Sequence, residues 1–121
     1  MIYILLGEDT KNKSSYIKEL IINHESFFVR EDTLNNGLIM SYCYNVDIFN
    51  KSLAIIVENI LTNGKINFSS TELEYLKKSG TLFIFKEDNL SQILQNKYKK
   101  YSEIKNFEEK KIKPIQKFNI F

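Results

Sequence analysis

A chain of 121 residues, 43% hydrophobic and 26% charged, is long enough to bury one core and too short for two. Its uninterrupted apolar runs are only about five residues long, far short of a bilayer span, and Met1 leads into a strand-like run rather than a basic cleavable leader, so a cytoplasmic protein with no membrane partner is expected. The net charge is +2, from 17 basic and 15 acidic side chains, and Arg30 is the sole arginine; bidentate grips on guanine or phosphate favour arginine over lysine, which disfavours sequence-specific reading of DNA.

In chain order, the apolar run Ile2–Leu6 predicts a first strand, followed by a glycine-led loop at residues 7–14. Tyr16, Ile17, Leu20 and Ile21 then recur at helical spacing, with Thr10 and Ser14-Ser15 as start signals. A second strand is expected at residues 27–30, a second helix after Asp32-Thr33, and a third strand at residues 53–58. Thr62-Asn63-Gly64-Lys65 is the most turn-like stretch. Ser69-Ser70-Thr71-Glu72 offers caps and a first-turn acid to a third helix, which carries Leu73, Tyr75 and Leu76 and ends at Ser79-Gly80. A fourth strand is Leu82–Lys86, a fourth helix bears Leu90, Ile93, Leu94 and Tyr98, and a weaker fifth strand lies at residues 103–108.

Strands alternating with helices imply an α/β fold of three layers, α/β/α, around a five-stranded, mostly parallel sheet. The first, third and fourth strands are continuously apolar, as strands buried on both faces are, and belong at its centre. No linker, repeat or low-complexity block divides the chain.

Few residues carry obvious chemistry. Cys43 has no disulfide partner and sits in the apolar-aromatic stretch 38–44, which suits a buried small hydrophobe better than a nucleophile; His24 lies in the polar turn Asn23-His24-Glu25-Ser26. Residues 97–117 hold eight lysines and three glutamates, net +5, leaving −3 for residues 1–96. A solvated helix, edge strand and tail explain this; a salt-sensitive nucleic-acid surface is the sharper alternative. Tyr98 and Tyr101 interleave with these lysines at helical spacing and are expected to pack inward.

The loop Gly7-Glu8-Asp9-Thr10-Lys11-Asn12-Lys13-Ser14 occupies the place of a phosphate loop, G-x-x-x-x-G-K-[ST]. Gly7, Lys13 and Ser14 are in register, and Asn12 replaces the second glycine, so its side chain would crowd a phosphate. The magnesium and catalytic acids are displaced as well: the third strand ends Val57-Glu58-Asn59, with Glu58 at the magnesium acid's position and Asn59 at the catalytic acid's. Glu8 and Asp9 would repel a triphosphate unless a metal intervened. A degenerate loop serving as a strand-to-helix turn is the main expectation; a small P-loop nucleotide-binding protein using Lys13, Ser14 and Glu58 is the alternative.

Three segments resemble one family. The opening Ile2-Tyr3-Ile4-Leu5-Leu6-Gly7-Glu8-Asp9-Thr10 is similar to the start of the delta subunit of the bacterial DNA polymerase III clamp loader. Ile48-Phe49-Asn50-Lys51-Ser52-Leu53-Ala54-Ile55-Ile56-Val57-Glu58-Asn59 is similar to that family's segment of apolar-Phe, basic residue, apolar strand and Glu-Asn. Phe118-Asn119-Ile120-Phe121 resembles the opening of its second, helical domain. The resemblance implies a P-loop NTPase fold of AAA+/RecA-like type at residues 1–117, with residues 118–121 starting a following domain. It also implies a role in DNA replication with no ATP hydrolysis and no cofactor, and Ile48 and Phe49 as the apolar pair that enters a pocket on the sliding clamp and helps open it. The implied partners are the sliding clamp, which is the beta subunit, the gamma/tau and delta-prime clamp-loader subunits and, weakly, DNA.

Overall fold

The computed structural model describes residues 1–29, 34–44, 52–62, 64 and 66–108. Among them are strands β1 (Ile2–Leu6), β2 (His24–Phe28), β3 (Ser52–Glu58), β4 (Leu82–Lys86) and β5 (Glu103–Asn106). The helices are α1 (Thr10–Leu20), α2 (Asn36–Ser41), α3 (Ser70–Lys78) and α4 (Gln92–Tyr98), and a 3-10 turn, Tyr42–Tyr44, follows α2. The strands form one sheet in the order β2-β3-β4-β1-β5. All four pairings are parallel, with Ile2 opposite Phe83, Tyr3 opposite Glu103, Ala54 opposite Leu82 and His24 opposite Ser52.

This order fixes where the helices go. Crossovers between parallel strands are right-handed. The chain leaves β1 toward the β2 edge, then steps back through β3 and β4 and passes β1 to reach β5, so α1 must lie on one face and α2, α3 and α4 on the other. The core divides accordingly. Ile17 packs with Leu5, Ala54, Ile56, Leu82 and Ile84 on the α1 face. Ile39 of α2, Leu73 and Leu76 of α3 and Tyr98 of α4 pack with Ile4, Ile55, Val57, Phe83 and Phe85 on the other. There Phe68 meets Phe85 edge to face at 6.0 Å, an arrangement that contributes about 1 kcal/mol beyond simple burial. Strands β1, β3 and β4 hold the three interior positions, as their unbroken apolar character predicts. The result is a three-layer α/β/α fold around a five-stranded parallel sheet.

Several elements differ from expectation. Strand β2 runs from His24 to Phe28 rather than over 27–30: it is an edge strand with one neighbour, its polar start pairs with Ser52, and His24 is its first residue rather than part of a turn. Strand β5 stops at Asn106, after which Phe107 donates to the Leu6 carbonyl. Helix α1 is capped by Asp9 and not by the hydroxyls downstream. The start signals Asp32-Thr33 lie outside the described residues; Asn35 caps α2. Ser69 and Glu72 form the expected capping box of α3, which ends at Ser79. Tyr75 and Ile93, taken for inward-facing residues, are 43% and 81% exposed. Leu73 and Leu76 make the buried stripe of α3; Leu94 and Tyr98, four apart, face the core from α4, and Leu90 packs just ahead of that helix. Tyr98 and Tyr101 do pack inward. No helix among the described residues is long and apolar enough to cross a membrane.

Candidate functional site

In a parallel sheet, ligands bind beyond the carboxyl ends of the strands, where the connections change direction. Here that point lies at β1, between the crossover toward β2 and the crossover toward β5. The β1–α1 loop emerges at this point. Around it stand the ends of β3 (Glu58, Asn59), β4 (Lys86, Glu87, Asp88) and β5 (Phe107).

The loop is turned inward. Gly7 takes φ +105°, and a Cβ there would lie 2.1 Å from the Phe107 carbonyl oxygen, so glycine is required both for the backbone angle and for the close approach of the segment after β5. Several of the amides of this loop are engaged within the chain. Gly7 donates to the Asp88 carbonyl at 3.0 Å, Asp9 to the Phe107 carbonyl at 3.0 Å and Thr10 to the Glu8 carbonyl at 2.8 Å. The Asn12 amide donates to Asp9 Oδ1 at 3.1 Å, and the Asn12 side-chain amide donates to Asp9 Oδ2. The Asp9 carboxylate therefore sits at the positive end of α1, where an anion is favoured.

Lys13 is bent into the protein. Only 4% of it is exposed, and its Nζ donates to the Glu87 carbonyl at 2.9 Å. Burial lowers its pKa, and Asp88, the nearest charge in effect, works against that shift. Ser14 on the next residue is half-buried, and Asn12 is exposed. The structure thus brings Gly7 and Lys13 to the switch point, but the lysine is spent on the end of β4.

The acidic side is built into the same network. Glu58 is about half exposed and stands 4.0 Å from Lys86. Asn59 adopts φ 50°, donates its amide to the Lys86 carbonyl at 2.8 Å and accepts from the Asp88 amide at 3.2 Å through Oδ1. Glu87 is the residue sequence reasoning missed. Fully buried, its carboxylate accepts from the amides of Ile60, Leu61 and Thr62 at 3.2, 3.4 and 2.9 Å and from the Thr62 hydroxyl at 2.6 Å. Burial raises its pKa, and the Thr62 hydroxyl and the three amides oppose the shift. The available signal was an acid directly after the last residue of β4, at the same end of the sheet as the loop.

Glu58, Glu87 and Asp88 act on Lys13 together with Lys86, and Glu8 and Asp9 stand in the loop itself, a set of carboxylates unfavourable to a triphosphate despite Lys11 and Lys105 at the same end. Of the remaining candidates, Cys43 is half-buried and burial raises its pKa, the behaviour of a packed thiol rather than a nucleophile. His24 is half-buried at the start of β2, and its buried Nδ1 has no hydrogen-bond partner among the described residues. Ile48 and Phe49 lie outside the described residues. Their flanks are defined: the Tyr42 carbonyl accepts from the Thr81 hydroxyl at 2.8 Å, and Ser52 opens β3.

No family model and no curated protein sequence matches the chain. Among solved structures, it is similar to a chain in Drosophila ORC bound to GC-rich DNA and Cdc6, at TM-score 0.48 and 13% identity, covering 88% of this chain and 48% of that one. The form bound to AT-rich DNA and Cdc6 gives TM-score 0.46 and 13% identity, covering 88% and 47%. The protein spans just under half the length of the chains it matches.

Proposed function

We propose that this chain is a non-hydrolysing P-loop-type domain of a clamp-loader delta subunit, working in DNA replication by docking on the sliding clamp through Ile48 and Phe49. One observation carries the non-catalytic part: the amides of the β1–α1 loop donate to Asp88, Phe107, Glu8 and Asp9, and Lys13 donates to the Glu87 carbonyl. A triphosphate would have to displace its own binding groups from acceptors they already have. The neighbouring carboxylates add repulsion, and Asn59 supplies no catalytic acid. The resemblance of the opening strand, the segment into β3 and the final four residues to the delta family supports the assignment to that family. The gamma/tau and delta-prime subunits are then its companions, DNA a weak contact at most, and the cytoplasm its compartment.

A compact apolar pair entering a pocket concentrates binding energy in few atoms. The test is binding to purified sliding clamp by calorimetry or surface plasmon resonance. Phe49→Ala is expected to weaken binding at least about tenfold, which is 1.4 kcal/mol, while the melting temperature stays at the wild-type value. Wild-type affinity in this variant would remove the assignment of Phe49.

The alternative, a small nucleotide-binding protein, draws only on the register of Gly7, Lys13 and Ser14. The inward turn of Lys13 stands against it.

A further inference from the structure

The end of the sheet opposite the phosphate loop has its own electrostatic character. Crossover helices run antiparallel to the strands, so α3 and α4 both terminate where β4 and β5 begin. Each ends in lysines: Lys77 and Lys78 in the last turn of α3, Lys99 and Lys100 directly after α4. Helix C-termini favour cations, which accounts for single lysines there, but topology places two such ends side by side. Lys77 and Lys100 line one cleft with Met1, Tyr3 and Glu103.

The charges in this patch are unevenly spent. Lys78 pairs with Glu74 at 3.3 Å, and the nearby Lys97 donates to Asn67 at 2.7 Å. Lys77, Lys99 and Lys100 are exposed and make no ion pair among the described residues. Glu103 is the carboxylate that shares their cleft.

The same end holds both fixed ends of the segment that carries Ile48 and Phe49. On the leading side, the Tyr42 carbonyl is bound by Thr81, and Cys43 lines a groove with Lys78 and Ser79. On the trailing side, β3 starts at Ser52, next to the start of β4. From β3 to β1 is two strand spacings, about 10 Å, roughly a Debye length at physiological salt.

We infer that Lys77, Lys99 and Lys100 form a basic collar that engages an acidic protein surface on the clamp, beside the pocket that receives the apolar pair. This rests on the clamp-docking function proposed above and adds to it a charge requirement on the partner and a division of labour. The apolar pair sets residence time, and the collar sets the rate and orientation of encounter. Electrostatic complementarity acts mainly on association, and truncation of a buried anchor acts mainly on dissociation.

The test is the association and dissociation rates of the protein with immobilised sliding clamp, at about 50 mM and about 300 mM salt, where screening differs strongly. The variant is Lys77→Glu with Lys100→Glu. Its control, Lys11→Glu with Lys105→Glu, makes the same change in net charge at the opposite end of the sheet. The collar variant is expected to associate about tenfold more slowly at the lower salt and to approach the wild-type rate at the higher, with an unchanged dissociation rate, while the control associates like wild type. Both variants carry changes at exposed sites, and their melting curves verify folding. Association at the wild-type rate by the collar variant at low salt overturns the inference, as does equal slowing by the control. If Phe49→Ala loses binding while the collar variant does not, the docking function stands and the collar falls. If wild-type protein does not bind the clamp, both fall. Salt-sensitive binding of duplex DNA that the collar variant alone loses, with clamp association unaffected, would assign these lysines to nucleic acid instead.

Discussion

Asn59 holds a left-handed backbone conformation, φ 50°, at the end of β3, where its amide and side chain tie the ends of β3 and β4 together. Asparagine tolerates this region, glycine more so, and a β-branched residue poorly. Both Asn59→Gly and Asn59→Val lose the bond to Asp88, so their difference isolates the backbone. Urea unfolding is expected to find Asn59→Val less stable than Asn59→Gly by about 1–2 kcal/mol. Glu87 is a different kind of residue, a buried carboxylate whose pKa is raised by burial. The folded protein therefore binds its proton more readily than the unfolded chain does, and stability falls as pH rises through the raised value. The stability of wild type relative to Glu87→Gln is expected to increase as pH is lowered from neutral toward the ordinary carboxylate range, then level off. A difference that does not vary with pH would show that the four donors around the carboxylate cancel its burial.

At the scale of elements, α3 illustrates how local signals and packing agree. The Ser69 hydroxyl accepts from the Glu72 amide and the Glu72 carboxylate accepts from the Ser69 amide, closing both ends of the capping box. Leu73 and Leu76 then enter the core. Ser69→Ala is expected to lower stability by about 1 kcal/mol without changing the fold, as read by chemical denaturation with circular dichroism. This helix was legible because cap, acid and apolar stripe all coincide within a few residues. The boundaries of β2 were not, because an edge strand is stabilised by one neighbour and its first residues, His24 and Glu25, have no strand-like pattern of their own. Ile93 misled for a related reason: in a helix of seven residues Leu94 and Tyr98 face the core, Leu90 packs ahead of the first turn, and one extra aliphatic residue imitates a wider face.

Across the whole molecule, the sheet has two chemically distinct ends. Carboxylates surround the loop at the carboxyl ends of the strands, and the lysines of α3 and α4 gather at the other. The first was half legible in sequence. Gly7, Lys13 and Ser14 mark the loop by register, and Glu8, Asp9 and Asn12 mark its decay, but the reason it is closed lies in partners distant in sequence: Asp88, Glu87 and Phe107. Residue spacing carries no record of such contacts. The lysine collar was hidden for the same reason, since Lys77 and Lys100 are brought to one cleft only by two successive right-handed crossovers. The proposal for Ile48 and Phe49, in contrast, rests on family resemblance and not on any local physical signal, and the pair lies outside the described residues.

The claim that the phosphate loop is satisfied from within is tested most directly by thermal or urea unfolding of the wild-type chain with and without magnesium and ATP. A ligand held at 100 times its Kd stabilises a folded protein by about 2.7 kcal/mol. No stabilisation is predicted at concentrations on the order of millimolar. A saturable, magnesium-dependent stabilisation lost in Lys13→Ala would contradict the account and make this chain a nucleotide-binding protein.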